Sequence, residues 1–303
     1  MRGAPIGVFD SGVGGLTVLK ALAAELPRES FVYLGDTARL PYGTKSPETV
    51  ARYAVQAAEA LAEYGVKCLV IACNTASSVG LPAIREQISG VPIVGVIEPG
   101  AEAACAASKS GHIAVIATEG TVRGGAYQEA ILRLRGRARV VAQPAQLFVA
   151  LAEEGLYEGP IAESVARHYL DPVFHPSRSG YHGVHSTHGA HNTPHAPDTP
   201  SDRGMVPSEP VSSPDTLVLG CTHFPMLAGA IRAAVGSAIN IVDSAATTAK
   251  AVRDTLEREN LICQEGEGTT RFLATDSVER FARIGSRFLE RPIDPEEVEL
   301  VDL

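Results

Sequence analysis

The sequence predicts an α/β protein made of two pseudo-symmetric parallel-sheet domains with the active site between them. Three observations support this. Short apolar runs alternate with amphipathic stretches, the order of these segments repeats in the second half of the chain, and each series closes on a cysteine. Alternating strands and helices are typical of a parallel sheet with helices on its faces. With 303 residues and 45% apolar content, the chain is long enough for two medium-sized cores.

In the first half, four strand-like runs are each followed by a helix-like stretch. In chain order these segments read IGVFD, LTVLKALAAEL, FVYLGD, SPETVARYAVQAAEALAEYG, CLVIAC, SVGLPAIREQI, PIVGVIEP and AEAACAAS. The second helix has a well-marked start, because Ser46 fits the N-cap, Pro47 the first helical position and Glu48 the first turn. We therefore predict four strand-helix units in this half.

The pattern begins again near Gly111. The segment IAVIATEGTVRGGAYQEAIL is similar to IGVFDSGVGGLTVLKAL, VVAQPAQLFVAL takes the place of FVYLGDTARLPY, and LVLGCTHFPML takes the place of LVIACNTASS. An ordered repeat of this kind predicts two similar halves. We place the second domain at residues 99–243. The first domain comprises residues 1–98 plus 244–303, because VDSAATTAKAVRDTL is typical of a strand and a helix that return to it.

Residues 175–214 differ in composition from the rest of the second domain. They are almost all His, Pro, Ser, Thr, Gly and Asp and have no apolar periodicity, so we predict a disordered surface insert. Four histidines recur at every third position, which leaves open a weak metal-chelating or protein-interaction role. They are His182, His185, His188 and His191.

Charge and composition exclude several classes of function. The net charge is −9 and the chain has no Lys/Arg cluster, so we predict no nucleic-acid partner. Neither a signal-peptide pattern nor a run of roughly 18 apolar residues is present, which predicts a cytoplasmic protein with no membrane partner. Five widely spaced cysteines in a chain of this size indicate reduced thiols rather than disulfides.

Polar residues follow the predicted strands at the carboxyl edge of each sheet, where open parallel sheets bind their ligands. These residues are Asp10, Ser11, Cys73, Asn74, Thr75, Thr118, Cys221, Thr222 and His223. Each cysteine precedes a predicted helix, whose N–H groups and dipole should lower the thiol pKa from about 8.5 towards neutrality. We expect the two thiols to form an acid and base pair.

The same residues suit a small zwitterionic ligand. Helix N–H groups with Asn74, Thr75 and Thr222 can cradle a carboxylate, and Asp10 can hold an ammonium group. If one thiolate removes the α-proton and the opposite thiol delivers a proton to the other face, the stereocentre inverts. A reaction that runs in both directions needs two such bases, which explains why the cysteine motif occurs twice.

Several motifs together resemble the cofactor-independent aspartate/glutamate racemases, and within them the glutamate racemases. They are VFDSGVGGLTVL, GDTARLPYGTKS, IACNTAS, VIEPG, ATEGTVRGGAY and LGCTHFPML. The resemblance covers essentially the whole chain except the insert. It implies a two-domain α/β enzyme that needs no pyridoxal phosphate and supplies D-glutamate for bacterial peptidoglycan. We expect no cofactor, free glutamate as the small-molecule partner, and a homodimer.

The resemblance also implies roles for particular residues. Cys73 and Cys221 match the catalytic acid/base pair, Asp10 matches the group that assists the first cysteine, and His223 with a glutamate matches the groups that assist the second. Glu153 aligns best as that glutamate. The implied substrate contacts are Asp10, Ser11, Pro41, Tyr42, Gly43, Asn74, Thr75, Thr118, Thr121, Thr222 and His223.

Some alternatives stay open. Glu154 can replace Glu153 as the accessory acid. A histidine at position 223 favours glutamate, since the related aspartate racemases are expected to have CTE there, but aspartate or another amino acid remains an alternative substrate. Cys221 and His223 also resemble half of a zinc site; zinc needs three or four ligands and the first cysteine motif supplies no second pair, so we predict no metal. A non-catalytic amino-acid-binding protein is the remaining alternative.

Overall fold

The computed structural model describes residues 2–175 and 213–303, and the predicted insert at residues 175–214 lies outside the described residues except at its two ends. The described chain forms two parallel β-sheets with α-helices packed on them. This confirms the predicted α/β class with two parallel sheets. None of the helices in the described ranges has the length and apolar character needed to cross a membrane.

The secondary structure elements have the following bounds. The strands are β1 (Ile6–Asp10), β2 (Phe31–Gly35), β3 (Cys68–Ile71), β4 (Ile93–Gly95), β5 (His112–Ala117), β6 (Arg139–Pro144), β7 (Thr216–Gly220), β8 (Asn240–Asp243), β9 (Thr270–Ala274) and β10 (Val298–Leu300). The helices are α1 (Leu16–Glu25), α2 (Pro47–Glu63), α3 (Asn74–Val79), α4 (Leu81–Gln87), α5 (Ile97–Ala107), α6 (Glu119–Gly124), α7 (Ala126–Leu134), α8 (Leu147–Glu154), α9 (Gly159–Phe174), α10 (Ala228–Val235), α11 (Ser244–Arg258) and α12 (Val278–Leu289). Short 3₁₀ helices span Tyr42–Thr44, Phe224–Leu227 and Pro295–Glu297.

The strand order shows the repeat that the sequence predicts. One sheet has the order β10-β9-β2-β1-β3-β4 and the other β6-β5-β7-β8, and all pairs are parallel. In each half the four strands lie side by side in the order second, first, third, fourth. The six-stranded sheet differs only by β9 and β10, which extend it beyond β2. The division into domains at residues 98 and 244 stays a prediction.

The two sheets share part of their apolar core. One buried cluster includes Val8 of β1, Leu19 of α1 and Leu219 of β7. Helix α11 packs against α1 and α5 and contacts β4 and β7, which belong to different sheets. Strands β1, β3, β5 and β7 are buried throughout, as expected for central strands with helices on both faces. This packing brings the carboxyl edges of the two sheets together.

Local boundaries differ from the predicted ones at two places that matter for the site. The helix after Cys73 begins directly at Asn74 and is interrupted at Gly80, so α3 and α4 replace the single helix expected from Ser78. In the second half the helix after β5 is broken at Gly125, whose φ of 70° is in the left-handed region that glycine readily adopts.

Candidate active site

A cavity lies where the carboxyl ends of strands from both sheets meet. The residues that line it are Ser11, Gly12, Leu40, Pro41, Tyr42, Gly43, Cys73, Asn74, Thr75, Thr118, Gln146, Val149, Glu153, Cys221, Thr222 and His223. The set contains every residue expected from the sequence except Asp10 and Thr121. Cys73 and Cys221 both face this cavity and are close enough for their charges to interact.

Cys73 is the N-cap of α3 and is buried. Its sulfur accepts a hydrogen bond from the Ala76 N–H at 3.4 Å, and its thiol lies 3.5 Å from Ser11 Oγ. Burial, together with the nearby Asp10 carboxylate, raises the pKa of Cys73 to about 12 despite these hydrogen bonds. The expectation of a lowered pKa is therefore wrong for Cys73, because desolvation of the thiolate outweighs the helix N-terminus. Cys73 is a protonated thiol at neutral pH.

Asp10 lies behind the cavity wall rather than in it. Its side chain is 1% exposed, one oxygen accepts the Gly12 N–H at 3.0 Å, and the other lies 3.5 Å from Thr222 Oγ1 of the second half. Burial raises the pKa of Asp10, although the positive charge of His223 and the hydrogen bonds oppose this. Asp10 is therefore placed to act on Cys73 and Thr222, not to contact a ligand in the cavity directly.

Cys221 has a different local structure. Proline is tolerated in the first turn of a helix but not further along. Pro225 accordingly lies in the first turn of a 3₁₀ helix that begins at Phe224, and the Cys221 side chain caps no helix. The expectation that the Cys221 sulfur faces the N–H groups at the start of a helix is therefore wrong. Instead its sulfur lies 3.8 Å from His223 Nδ1. The two cysteines reach the same cavity with different partners.

His223 and Glu153 form a buried pair beside Cys221. His223 Nε2 lies 3.1 Å from Glu153 Oε1, and the two side chains are only 9% and 16% exposed. Burial by itself would lower the pKa of His223, but the hydrogen bonds with Cys221 and Glu153 outweigh it and raise the pKa to about 10. The ring is an imidazolium at neutral pH, paired with the Glu153 carboxylate. The alternative acid, Glu154, is exposed.

Helix packing brings Glu153 to this position. Glu153 lies in the last turn of α8, and α8 packs against the 3₁₀ helix that follows His223. The rings of Phe148 and Phe224 meet edge to face across this contact, with centroids 5.3 Å apart. The His223 ring also meets the ring of Phe288 of α12 edge to face, with centroids 5.2 Å apart. Three separate elements therefore fix the imidazolium.

Three threonine hydroxyls connect the two halves at the cavity wall. Thr75 Oγ1 lies 2.9 Å from Thr118 Oγ1 and 3.2 Å from Thr121 Oγ1, and the last two hydroxyls are 2.9 Å apart. Thr121 does not reach the cavity itself but holds the other two hydroxyls. Gly43 packs closely here, since a Cβ at this position would lie 2.7 Å from Thr118 Cβ.

Asn74 presents an amide to the cavity. Tyr127, buried and outside the predicted site, donates its hydroxyl to Asn74 Oδ1 at 2.8 Å. Asn74 Nδ2 is buried and makes no hydrogen bond with any described residue. A buried donor without a partner is costly in a protein interior, so this amide group is suited to an acceptor such as a ligand carboxylate.

The Pro41–Gly43 loop is held from behind the cavity. The Tyr42 hydroxyl hydrogen-bonds Asp36, which also accepts from Arg39 Nε at 2.7 Å and from Thr275 Oγ1 at 2.9 Å. Burial raises the pKa of Tyr42, and the Asp36 charge adds to this, so the phenol stays neutral.

Sequence reasoning missed four residues that line the cavity. Gln146 follows the end of β6, and the carboxyl-edge rule that identifies the other residues applies to it as well. Gly12, Leu40 and Val149 have no comparable polar signal. In the described ranges 2–175 and 213–303, no group of three His, Cys, Asp or Glu side chains is placed to hold a metal ion.

Comparisons with known proteins find racemases that are similar to this chain. The family model for Asp/Glu/Hydantoin racemase matches residues 6–168. A glutamate racemase from Geobacter metallireducens is 43% identical over 285 residues, which cover 94% of this chain and 92% of that protein. The crystal structure of the glutamate racemase isoform RacE1 from Bacillus anthracis has a TM-score of 0.83 at 32% identity and covers 100% of this chain and 99% of that one. The Francisella tularensis glutamate racemase in complex with D-glutamate has a TM-score of 0.82 at 31% identity, with 100% and 98% coverage.

Proposed function

This chain belongs to the aspartate/glutamate racemase family, and we propose that it interconverts L- and D-glutamate by a two-base mechanism that uses Cys73 and Cys221. The observation that carries the proposal is that both thiols line one cavity, each with its own set of polar partners. Glutamate as the substrate is supported by relatives named glutamate racemase at about 40% identity over nearly the whole chain. It is also supported by His223 at the position where the related aspartate racemases are expected to have Glu.

The different settings of the two cysteines suggest their resting roles. Cys73 enters as the proton donor, because burial and Asp10 keep it protonated. Cys221, beside the His223 imidazolium, enters as the base and takes the α-proton as the C–H bond breaks. The carbanion then takes the Cys73 proton on its other face, which leaves Cys221 as a thiol and Cys73 as a thiolate. The opposite enantiomer reacts by the reverse sequence.

The polar residues of the cavity hold the substrate. Asn74 Nδ2 and the hydroxyls of Thr75 and Thr118 bind a carboxylate of the substrate, and Gly43 lies beside Thr118. Asp10 acts from behind the wall through Cys73 and Thr222. Residues of both halves therefore orient the α-carbon between the thiols, which is where correct positioning contributes most to the rate.

The wider role follows from the reaction. We propose that the enzyme works without pyridoxal phosphate, in the cytoplasm and as a homodimer, and that its product is D-glutamate for peptidoglycan synthesis. Proton abstraction by a thiolate needs no cofactor when the second thiol can protonate the carbanion at once.

The test is racemisation in D₂O by pyridoxal-free protein. With wild-type protein, a solution of L-glutamate should lose its optical rotation, and the glutamate that forms should carry deuterium at the α-carbon. Cys73→Ser and Cys221→Ser should each lower kcat by about 10² to 10⁴-fold, the usual contribution of a general acid or base. Cys105→Ser, a change outside the cavity, is the matched control.

Each other outcome contradicts a particular part of the proposal. Racemisation of aspartate but not glutamate would contradict the substrate. Tight glutamate binding without racemisation would favour a binding protein. Activity retained in either serine variant would rule out the two-base assignment.

A further inference from the structure

Arg280 contacts the active site from outside the cavity. This residue of α12 places Nη2 2.7 Å from Glu153 Oε2, while the other carboxylate oxygen, Oε1, lies 3.1 Å from His223 Nε2. Both oxygens of Glu153 are therefore engaged, one by the imidazolium and one by the guanidinium. Arg280 does not line the cavity, so it has no direct contact with a ligand there.

This contact joins the two halves of the molecule. Glu153 ends α8, which follows β6 of the four-stranded sheet, whereas α12 lies between β9 and β10 of the six-stranded sheet. Arg287, also on α12, lies 3.5 Å from the Glu153 carbonyl oxygen through Nη1. Two turns along the helix from Arg280, Phe288 packs on the His223 ring. One helix face therefore contacts both members of the His223–Glu153 pair.

A glutamate side chain at a helix end has several rotatable bonds, and a single hydrogen bond to His223 leaves the carboxylate free to swing towards solvent. A second bond from a fixed helix removes that freedom at low cost, because both partners are then already ordered. Arg280 is 45% exposed, so this ion pair contributes little to global stability. The ion pair instead fixes the orientation of the Glu153 carboxylate.

We propose that Arg280 is a positioning residue of the racemase: it holds Glu153 against His223 and so keeps the imidazolium directed at Cys221. Arg280 acts through Glu153 and His223 and touches neither substrate nor thiol. The inference rests on the proposed function, because it assigns Arg280 to the residues that assist Cys221 in that reaction. The residues that contact or assist Cys73, namely Ser11, Ala76 and Asp10, should not depend on Arg280.

Because the pair is surrounded by charged groups, the proposal predicts a change in the pH dependence of kcat. The titratable and charged groups that face the pair are His223 and Glu153 themselves, Cys221 beside the His223 ring, Arg280 and Arg287 on α12, and Asp10 behind His223. Burial opposes ionisation of Glu153, but His223 and Arg280 hold its pKa below the ordinary value. Removal of Arg280 raises the pKa of Glu153, so the low-pH limb of the kcat profile should move to higher pH.

Three variants test the role of Arg280. Arg280→Met keeps the length of the side chain without charge or hydrogen bonds, Arg280→Lys keeps the charge, and Arg283→Met removes an exposed arginine of the same helix. We expect Arg280→Met to lower kcat about tenfold, within the roughly 10²-fold that a misplaced catalytic group can cost. KM should change less than about twofold because Arg280 lies outside the cavity. Arg280→Lys should recover part of the kcat, and Arg283→Met should match wild type.

A second measurement does not depend on turnover. Iodoacetamide alkylation of Cys221 and Cys73 is followed in the same samples by mass spectrometry. In Arg280→Met the His223 ring is no longer held beside the Cys221 sulfur, which it approaches through Nδ1 at 3.8 Å. Cys221 should therefore react about threefold or more slowly than in wild type, as expected for a network coupling of this kind, while the Cys73 rate stays the same.

The outcomes separate the two proposals. If wild-type protein racemises glutamate, and Arg280→Met has a wild-type kcat, pH profile and Cys221 alkylation rate, the positioning role is wrong and the proposed function stands. A lower kcat together with a higher KM and slower alkylation of both cysteines would indicate a general structural defect. That result would also contradict the positioning role of Arg280. If wild-type protein does not racemise glutamate but Arg280→Met slows only Cys221, the proposed function fails while the link from Arg280 to Cys221 stands.

Discussion

Glu153→Gln removes the charge that pairs with His223 while it keeps the shape of the side chain. A hydrogen bond to a charged group contributes about 1.5–3 kcal/mol and a neutral one about 0.5–1.5 kcal/mol, so the substitution costs about 1–1.5 kcal/mol. With side chains 9% and 16% exposed, solvent screens this difference only weakly. Since one pKa unit corresponds to about 1.4 kcal/mol, the pKa of His223 should fall by about one unit from its wild-type value of about 10.

The assay is a carbon-13 NMR titration of histidine-labelled protein between pH 6 and 11, with the His223 signal assigned from His223→Gln. The high-pH limb of the kcat profile should move down in parallel with the NMR titration. Glu154→Gln, which changes the exposed neighbour, is the matched control and should leave both curves in place. If His223 titrates at the wild-type pH in Glu153→Gln, the carboxylate does not sustain the imidazolium and the assignment of Glu153 is refuted.

The same pair also makes stability depend on pH. The folded-state pKa of His223 is raised above its ordinary value of 6.5, so the contribution of its charge is fully present below pH 6.5 and is lost as the pH rises through about 10. The Tm of Glu153→Gln should therefore lie below that of wild type near pH 6 and approach it above about pH 10. Differential scanning calorimetry at both pH values measures this. An equal Tm difference at the two ends would contradict the pairing.

Two further substitutions test how the site is held. Tyr127→Phe frees the Asn74 amide, so KM should rise about two- to tenfold, the worth of one neutral hydrogen bond, with kcat nearly unchanged in initial-rate assays; an unchanged KM would contradict this role. Gly14→Ala places a Cβ 2.5 Å from His223 Nδ1 and should displace the ring, which lowers kcat by about tenfold or more. Gly229→Ala, with no atom within 4 Å of its added Cβ, is the control. Equal rates in the two alanine variants would refute the steric argument.

How much of the site could be predicted differs between its two cysteines. At Cys73 the motif IACNTAS indicated a thiol shortly before a helix expected from Ser78, and the structure has the helix begin directly at Asn74. The pKa inferred from the motif was wrong, because it counts the local N–H donors but not the burial and the Asp10 charge supplied by distant segments. At Cys221 the resemblance implied His223 as the assisting group, and its Nδ1 lies 3.8 Å from the sulfur. The motif alone could not show that Pro225 delays the helical turn, so that the Cys221 side chain caps no helix.

The sequence by itself determined the α/β class, the repeated order of strands and the residues that follow each strand, because hydrophobic periodicity and strand-end positions are local properties of the chain. Family motifs added the pairing of two cysteines. Only the tertiary structure decided that Glu153 rather than the exposed Glu154 meets His223, that Asp10 lies behind the cavity wall, and that Arg280 reaches across from α12. These contacts join residues more than 60 positions apart, and their geometry depends on how α8, α12 and the two sheets pack, which no local pattern encodes.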